Sequence, residues 1–71
     1  MGYFLRDVEA KEAEILAAVP DARLSRWDYG FKLVAERDGN GFIVMQPERA
    51  ENGQEYINRP AAEAIKFLRG E

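Results

Sequence analysis

The stretch from Trp27 to Gln46, WDYGFKLVAERDGNGFIVMQ, decides the fold that the sequence predicts. Its first half carries an apolar or aromatic residue at every second position, and an extended strand places such residues on one face. These residues are Trp27, Tyr29, Phe31, Leu33 and Ala35. A glycine inside a strand often marks a bulge, but we expect the phase to continue through Gly30. The odd-numbered side chains should then form the core beneath the helices.

A glycine-rich turn follows this strand. Asp38-Gly39-Asn40-Gly41 contains two overlapping dipeptides that accept the positive φ of a tight β-hairpin. The second strand, Gly41 to Gln46, is apolar on both of its faces. Its two pairs of apolar side chains are Phe42 with Val44 and Ile43 with Met45. The register depends on the length of the turn, so either pair can face inward.

Helical patterns flank the hairpin. The first helix lies within Met1 to Val19, with Asp7 as a candidate N-cap, and Pro20 ends it. A short third strand at Gln54 to Ile57 precedes a last helix from Ala61 to Arg69. This order predicts an α+β fold in a single small domain, residues 1–71. The order is helix-strand-strand-strand-helix, with a three-stranded antiparallel sheet that carries both helices on one face.

Composition limits the chemistry of the chain. It contains no cysteine and no histidine, which excludes disulfides and argues against a zinc site. In the hairpin turn only Asp38 and Asn40 resemble calcium ligands, too few for a calcium loop. We therefore expect no metal and no cofactor. The chain has no run of 18 apolar residues and no signal-peptide pattern, so we expect a cytoplasmic protein without membrane contact.

Catalysis is not expected from this residue set. Nucleophilic catalysis needs an activated hydroxyl, thiol or amine beside a base. The chain has no histidine and no threonine, and its one serine, Ser25, falls near the start of the predicted first strand. The glycines of the hairpin turn connect two strands and lack the following helix of a phosphate-binding loop. We therefore predict a protein that is not an enzyme and has no catalytic residues.

An apolar patch is expected on the sheet face that points away from the helices, which we call the outer face. Val34 lies there with whichever pair of the second strand faces outward. The candidate partner-binding residues of this patch are Val34, Phe42, Ile43, Val44 and Met45. Monomers also expose patches of up to a few hundred Å². The patch is equally consistent with a monomer and with a homodimer or partner-binding surface.

Carboxylates offer a second candidate surface. The net charge is −3, and acidic proteins can dock on basic grooves. The candidate residues are Glu9, Glu12, Glu48 and Glu51. The simpler interpretation is that scattered carboxylates keep the domain soluble.

Glu12 breaks the apolar arc of the first helix, where an unpaired buried carboxylate would be costly. One interpretation places it at the rim, where it reaches water. The other makes it a half-buried carboxylate held by Arg23, Arg26, Trp27 or Tyr29. In the second case a structural ion pair is a better interpretation than a catalytic acid.

The function that we predict is a non-enzymatic protein-binding module, such as a small acidic bacterial or phage inhibitor or adaptor that docks on a larger protein. A homodimer through the outer face is a further expectation. The alternative is single-stranded nucleic-acid binding, in which bases stack on aromatic rings and cations follow phosphates. The basic first strand has the residues for this: Arg26, Lys32 and Arg37 with Trp27, Tyr29 and Phe31.

The phase of the strand argues against nucleic acid. The rings occupy odd positions and Lys32 an even one, so the rings and this charge should point to opposite faces. The order of the two functions therefore depends on helices covering Trp27, Tyr29 and Phe31.

Overall fold

The computed structural model describes residues 2–71, which form two α-helices and one four-stranded antiparallel sheet. The strands pair in sequence order, as a meander. The helices are α1 (Leu5–Ala18) and α2 (Ala61–Arg69). The strands are β1 (Arg23–Trp27), β2 (Lys32–Arg37), β3 (Asn40–Gln46) and β4 (Ile57–Asn58). The α+β class is confirmed, and the sheet has four strands where we expected three.

The additional strand exists because the chain reverses at Asp28–Gly30. Asp28, Tyr29 and Gly30 have φ angles of 54°, 58° and 93°, so all three lie in the left-handed region. A tight turn therefore joins β1 to β2, and Trp27 pairs with Lys32 across it. The prediction that one strand continues through Gly30 was wrong.

The reversal moves two aromatic rings out of the predicted core. Trp27 is 60% exposed and Tyr29 is 94% exposed, whereas Phe31 is half-buried. Helices therefore do not cover the first two rings, contrary to our expectation. The alternation holds only after the turn, where Leu33 and Ala35 are both fully buried.

One apolar core joins both helices to the sheet. Its buried members from β2 and β3 pack with residues of α1 and α2 in a single cluster. The cluster consists of Val8, Ile15, Leu33, Ala35, Val44, Met45, Ala61 and Ala64. Leu33 and Ala35 alternate along β2 and mark the face of the sheet that the helices cover.

A bulge in β3 decides which of its apolar residues are buried. Val34 pairs with Ile43, but the preceding residue, Leu33, pairs with Met45. Val44 is therefore the extra residue, and bulged residues break the strict alternation of a strand. Val44 is 0% exposed and Met45 is 1% exposed. The bulge buries one member of each predicted pair, which a strict two-residue period cannot do.

The ends of the elements differ from the prediction in detail. Asp7 is not the N-cap of α1 but lies in its first turn, where its Oδ2 accepts a hydrogen bond of 2.7 Å from the Phe4 N–H. Glycine follows α2 as predicted, and Gly70 has the left-handed φ of 75° that commonly ends helices. Within residues 2–71, neither helix has the length and apolar character that a membrane span requires.

Substitutions on β3 test the bulge. We expect Met45→Ala to lower the free energy of unfolding by about 2–5 kcal/mol, because it leaves a cavity in the core. The matched change Ile43→Ala removes a half-buried side chain from the other face and should cost about 1 kcal/mol. Urea unfolding of both variants measures the difference. Equal losses would contradict the register described here.

Candidate functional site

The outer face of the sheet is the candidate functional site. Residues directly opposite each other in an antiparallel pair project to the same side of the sheet. The register places Ser25 opposite Val34, Val34 opposite Ile43, and Trp27 opposite Lys32. Leu33 and Ala35 point the other way, towards the helices. The outer face therefore consists of Arg23, Ser25, Trp27, Lys32, Val34, Glu36 and Ile43.

Trp27 is the largest apolar side chain of the outer face. Its indole Nε1 donates a hydrogen bond of 3.2 Å to Ser25 Oγ, which directs the ring along β1. Val34 and Ile43 lie beyond Ser25 and are half-buried by their neighbours in the sheet. The outer face thus presents one exposed aromatic ring, which projects further from the sheet than the aliphatic side chains beside it. Such an arrangement suits an interface anchor, because Trp is enriched among residues that dominate binding energy.

The loop after β3 braces the end of the sheet where Trp27 lies. Arg49 Nη2 lies 3.5 Å from Asp28 Oδ1, and Gln54 Nε2 donates to Asp28 Oδ2 at 3.4 Å. The buried side chain of Gln46 donates to the Glu55 carbonyl oxygen at 2.8 Å. The first two contacts hold the turn that follows Trp27, and the third attaches the loop to β3. The indole therefore projects from an anchored part of the chain.

The charges of the outer face are mixed. Arg23 lies opposite Glu36, and Lys32 lies opposite Trp27. Glu48 and Glu51 are exposed in the loop after β3, and Glu9 is exposed on α1. The face therefore carries two cations and one carboxylate, while the exposed candidate carboxylates lie outside its strands.

The candidate residues of the predicted apolar patch do not all reach the outer face. Val34 and Ile43 do. Phe42 lies opposite Ala35 on the helix side, where its ring stacks on that of Phe67 with centroids 5.1 Å apart. Val44 and Met45 are buried in the core because of the bulge, so they cannot contact a partner in this conformation. The patch is therefore smaller than predicted.

Glu12 is the half-buried carboxylate of the second interpretation. Its Oε1 lies 2.9 Å from Nη1 of Arg26, and the two side chains are 28% and 27% exposed. Arg26 lies opposite Leu33 and so projects towards the helices. The ion pair links the middle of α1 to β1. This carboxylate is therefore engaged within the fold and is not an open docking group.

The residues predicted for nucleic-acid binding do not lie on one surface. Lys32 shares the outer face with Trp27, which the strand phase had argued against. Arg26 is neutralised by Glu12, and Arg37 Nη1 lies 3.6 Å from Asp38 Oδ2. Only one of the three named cations therefore accompanies an exposed ring on the face.

A second feature is an open groove of about 430 Å³ between α1 and the β4 edge. The rings of Tyr3 and Tyr56 meet there with centroids 5.9 Å apart. Lys11 lines the groove, but its Nζ already donates to Asn58 Oδ1 at 3.1 Å and to the Arg59 carbonyl at 2.5 Å. Among residues 2–71, no group of three or more acidic, histidine or cysteine side chains is arranged to hold a metal ion.

Burial raises the pKa of the Tyr3 phenol from 10.0 to about 12, and the negative charges of Tyr56 and Asp28 act in the same direction. The phenol donates a hydrogen bond to the carbonyl oxygen of Phe31. This bond joins Tyr3, two residues before the start of α1, to the end of the β1–β2 turn. Tyr3 therefore supports the turn, and its contacts do not indicate a catalytic role.

The sequence interpretation missed Trp27 and Tyr29 as surface residues. The available signal was Asp28-Tyr29-Gly30, because aspartate and glycine are the residues that most readily adopt turn conformations. The aromatic alternation concealed this signal, since Trp27 and Tyr29 fit a strand equally well.

Comparison of the chain with protein-family models, with curated proteins and with solved structures found no match.

The Glu12–Arg26 pair can be tested by Glu12→Gln. We expect a loss of about 1–2 kcal/mol in the free energy of unfolding, between the values for exposed and buried pairs, because Arg26 keeps its charge without a partner. The control is Asp38→Asn, which breaks the exposed pair with Arg37 and keeps a residue that tolerates positive φ. It should change stability by less than about 0.5 kcal/mol in the same urea assay. Equal effects would show that the Glu12 pair is not structural.

The raised pKa of Tyr3 predicts that the folded chain loses stability in strong alkali. Because its pKa is raised in the folded chain, the unfolded chain loses the phenol proton first. The contribution of Tyr3 is complete below pH 10 and decreases as the pH rises towards about 12. Urea unfolding at increasing pH should show this decrease, and Tyr3→Phe should reduce it. Tyr29→Phe, at an exposed position, should leave it unchanged; the same alkaline profile in all three proteins would contradict the assignment.

Proposed function

We propose that this chain is a non-enzymatic protein-binding module that docks on a larger protein through the outer face. The observation that supports this proposal is the position of Trp27. The ring is 60% exposed, is oriented by Ser25 and stands beside Val34 and Ile43. Burying such a ring removes a large apolar surface from water at little cost in conformational entropy.

The face also indicates the chemistry of the partner. A complementary surface would offer an apolar pocket for the indole of Trp27 and a carboxylate near Lys32 or Arg23. The exposed carboxylates Glu48 and Glu51 would then lie beside the contact and favour a basic rim on the partner. Such a module acts as an adaptor or as an inhibitor that occludes a site on the larger protein. We expect it to act in the cytoplasm.

A second copy of the chain is a less favourable partner for the outer face than a different protein. Stable homodimers bury roughly 800 Å² on each subunit. Two stacked copies would rely on Val34 and Ile43, which are already half-buried, and on a ring that projects above them. The homodimer that we expected through this face is therefore not favoured, and a different protein is the better partner.

Single-stranded nucleic acid is the second candidate function. The observation in its favour is that Trp27 and Lys32 share a face and that Tyr29 is almost fully exposed beyond them. Exposure of these rings removes our original argument against this function. Against it stand the net charge of −3 and the pairing of Arg26 with Glu12 inside the fold. Phosphate binding needs several free cations, so we rank protein binding first.

The two functions are separated by variants of the outer face. We expect Trp27→Ala and Val34→Lys to abolish capture of a specific partner from a lysate of the native host, because they remove the anchor and charge the apolar surface. The control is Leu16→Lys, which places the same charge at an exposed apolar position of α1. Mass spectrometry of the captured proteins provides the measurement.

A second measurement uses the purified chain with a labelled oligothymidine at increasing salt. Protein binding predicts no association. Binding at low salt that weakens steeply with salt and is lost in Trp27→Ala would favour nucleic acid instead. A partner captured equally by all the variants would contradict the outer face as its site.

A further inference from the structure

We infer that β1 is a self-pairing edge, through which two copies of the chain join their sheets. In this arrangement the two β1 strands run antiparallel about a two-fold axis at Ser25, and two four-stranded sheets become one of eight strands. The inference does not rest on the proposed function, because pairing of the edges needs no other protein; the two surfaces share Trp27, whereas Val34 and Ile43 stay uncovered in the dimer.

The edge at β1 is suited to pairing. Within residues 2–71, β1 pairs only with β2 and has no strand on its other side. Its five residues follow β2 without a register shift, and none of them is proline. The opposite edge, β4, has only two residues. An edge strand presents unpaired N–H and C=O groups, and a regular one can extend a sheet into another chain.

The side chains of β1 on the outer face are complementary to themselves. A two-fold axis at Ser25 places Arg23 of one copy opposite Trp27 of the other, and symmetry forms this contact twice. Side chains opposite each other across antiparallel strands are close enough to interact, and a guanidinium over an indole is favourable. Both side chains are exposed, and although Glu36 lies opposite Arg23 on β2, none of the ion pairs described within residues 2–71 includes Arg23.

On the helix side, the same axis places Leu24 opposite Arg26. A charge on this side of an edge strand commonly prevents pairing between chains. Here Arg26 already has its carboxylate partner, since Glu12 lies 2.9 Å away on α1. The charge is therefore directed into its own copy, and the aliphatic part of the side chain can lie against Leu24.

Charge also selects the register. An axis at Arg23 or at Arg26 would place each arginine opposite its own copy, and like charges directly opposite are unfavourable. The axis at Ser25 pairs all five residues and gives each arginine an uncharged neighbour. This complementarity between Arg23 and Trp27 is why we assign the edge to a second copy rather than to an unrelated strand.

The test is the mass of the purified chain by sedimentation equilibrium across a wide concentration range. We expect a reversible dimer of twice 8.1 kDa. Trp27→Lys places a lysine opposite Arg23 and should weaken the dimer about tenfold or more, because it replaces two attractive contacts by two repulsive ones. Arg23→Glu should also weaken it, since the cation is lost. The double variant R23E/W27K pairs opposite charges and should restore the dimer.

Two comparisons make the result specific to the edge. Val34→Lys charges the centre of the outer face and should leave the dimer intact, whereas it would dissociate a dimer formed through that face. Within each copy, Arg23→Glu also faces Glu36 and Trp27→Lys also faces Lys32 across the β1–β2 pair, so circular dichroism and urea unfolding of each variant check that the fold is kept. A mass of 8.1 kDa at every concentration would overturn the inference, as would a double variant no more dimeric than either single one. These experiments need no partner, so they can fail independently of the proposed function.

Discussion

The chain reversal at Asp28–Gly30 is the constraint on which the rest of the structure depends. Left-handed backbone is costly for aspartate and more so for tyrosine, so surrounding contacts must hold it. Arg49 and Gln54 provide these contacts by binding the two carboxylate oxygens of Asp28. The turn converts what would be one long strand into two paired strands. It therefore decides that the sheet has four strands and that β1 forms a free edge.

The same reversal distributes the side chains of β1 between two environments. Arg26 is turned towards α1, where it meets Glu12, and Trp27 is turned away from the helices. The half-buried ion pair and the exposed indole are thus consequences of one backbone feature. Burying the arginine without a carboxylate would be unfavourable, and this gives Glu12 a structural reason to interrupt the apolar arc of its helix. The position of Glu12 in the apolar arc of α1 is thus explained by Arg26 of β1.

Local patterns predicted the parts of the fold that local physics determines. The glycine-rich hairpin turn, the burial of Leu33 and Ala35 and the extent of α2 follow from alternation, turn chemistry and helix periodicity. The turn at Asp28 could not be found in this way, because its supports lie more than twenty residues further along the chain. The bulge at Val44 also could not be predicted from the sequence, because a strict two-residue period leaves no place for an extra residue in one strand. Both features concern the candidate site: the turn exposes Trp27, and the bulge buries both Val44 and Met45, of which strict alternation allowed only one to face inward.

A chain of 71 residues has too small an interior for a deep cleft, so its binding sites are expected on its surface. Domains near this size bury only about 60% of the surface of the unfolded chain, so association with another protein is a means of gaining stability. The outer face and the β1 edge meet at Trp27. Its ring lies on the outer face, and its backbone is the last residue of the β1 edge. Because paired edges would bring two outer faces side by side, a dimer would present both faces to one partner. Occupation of the first face would then raise the effective concentration of the second, so that modest contacts around each indole could together produce firm binding.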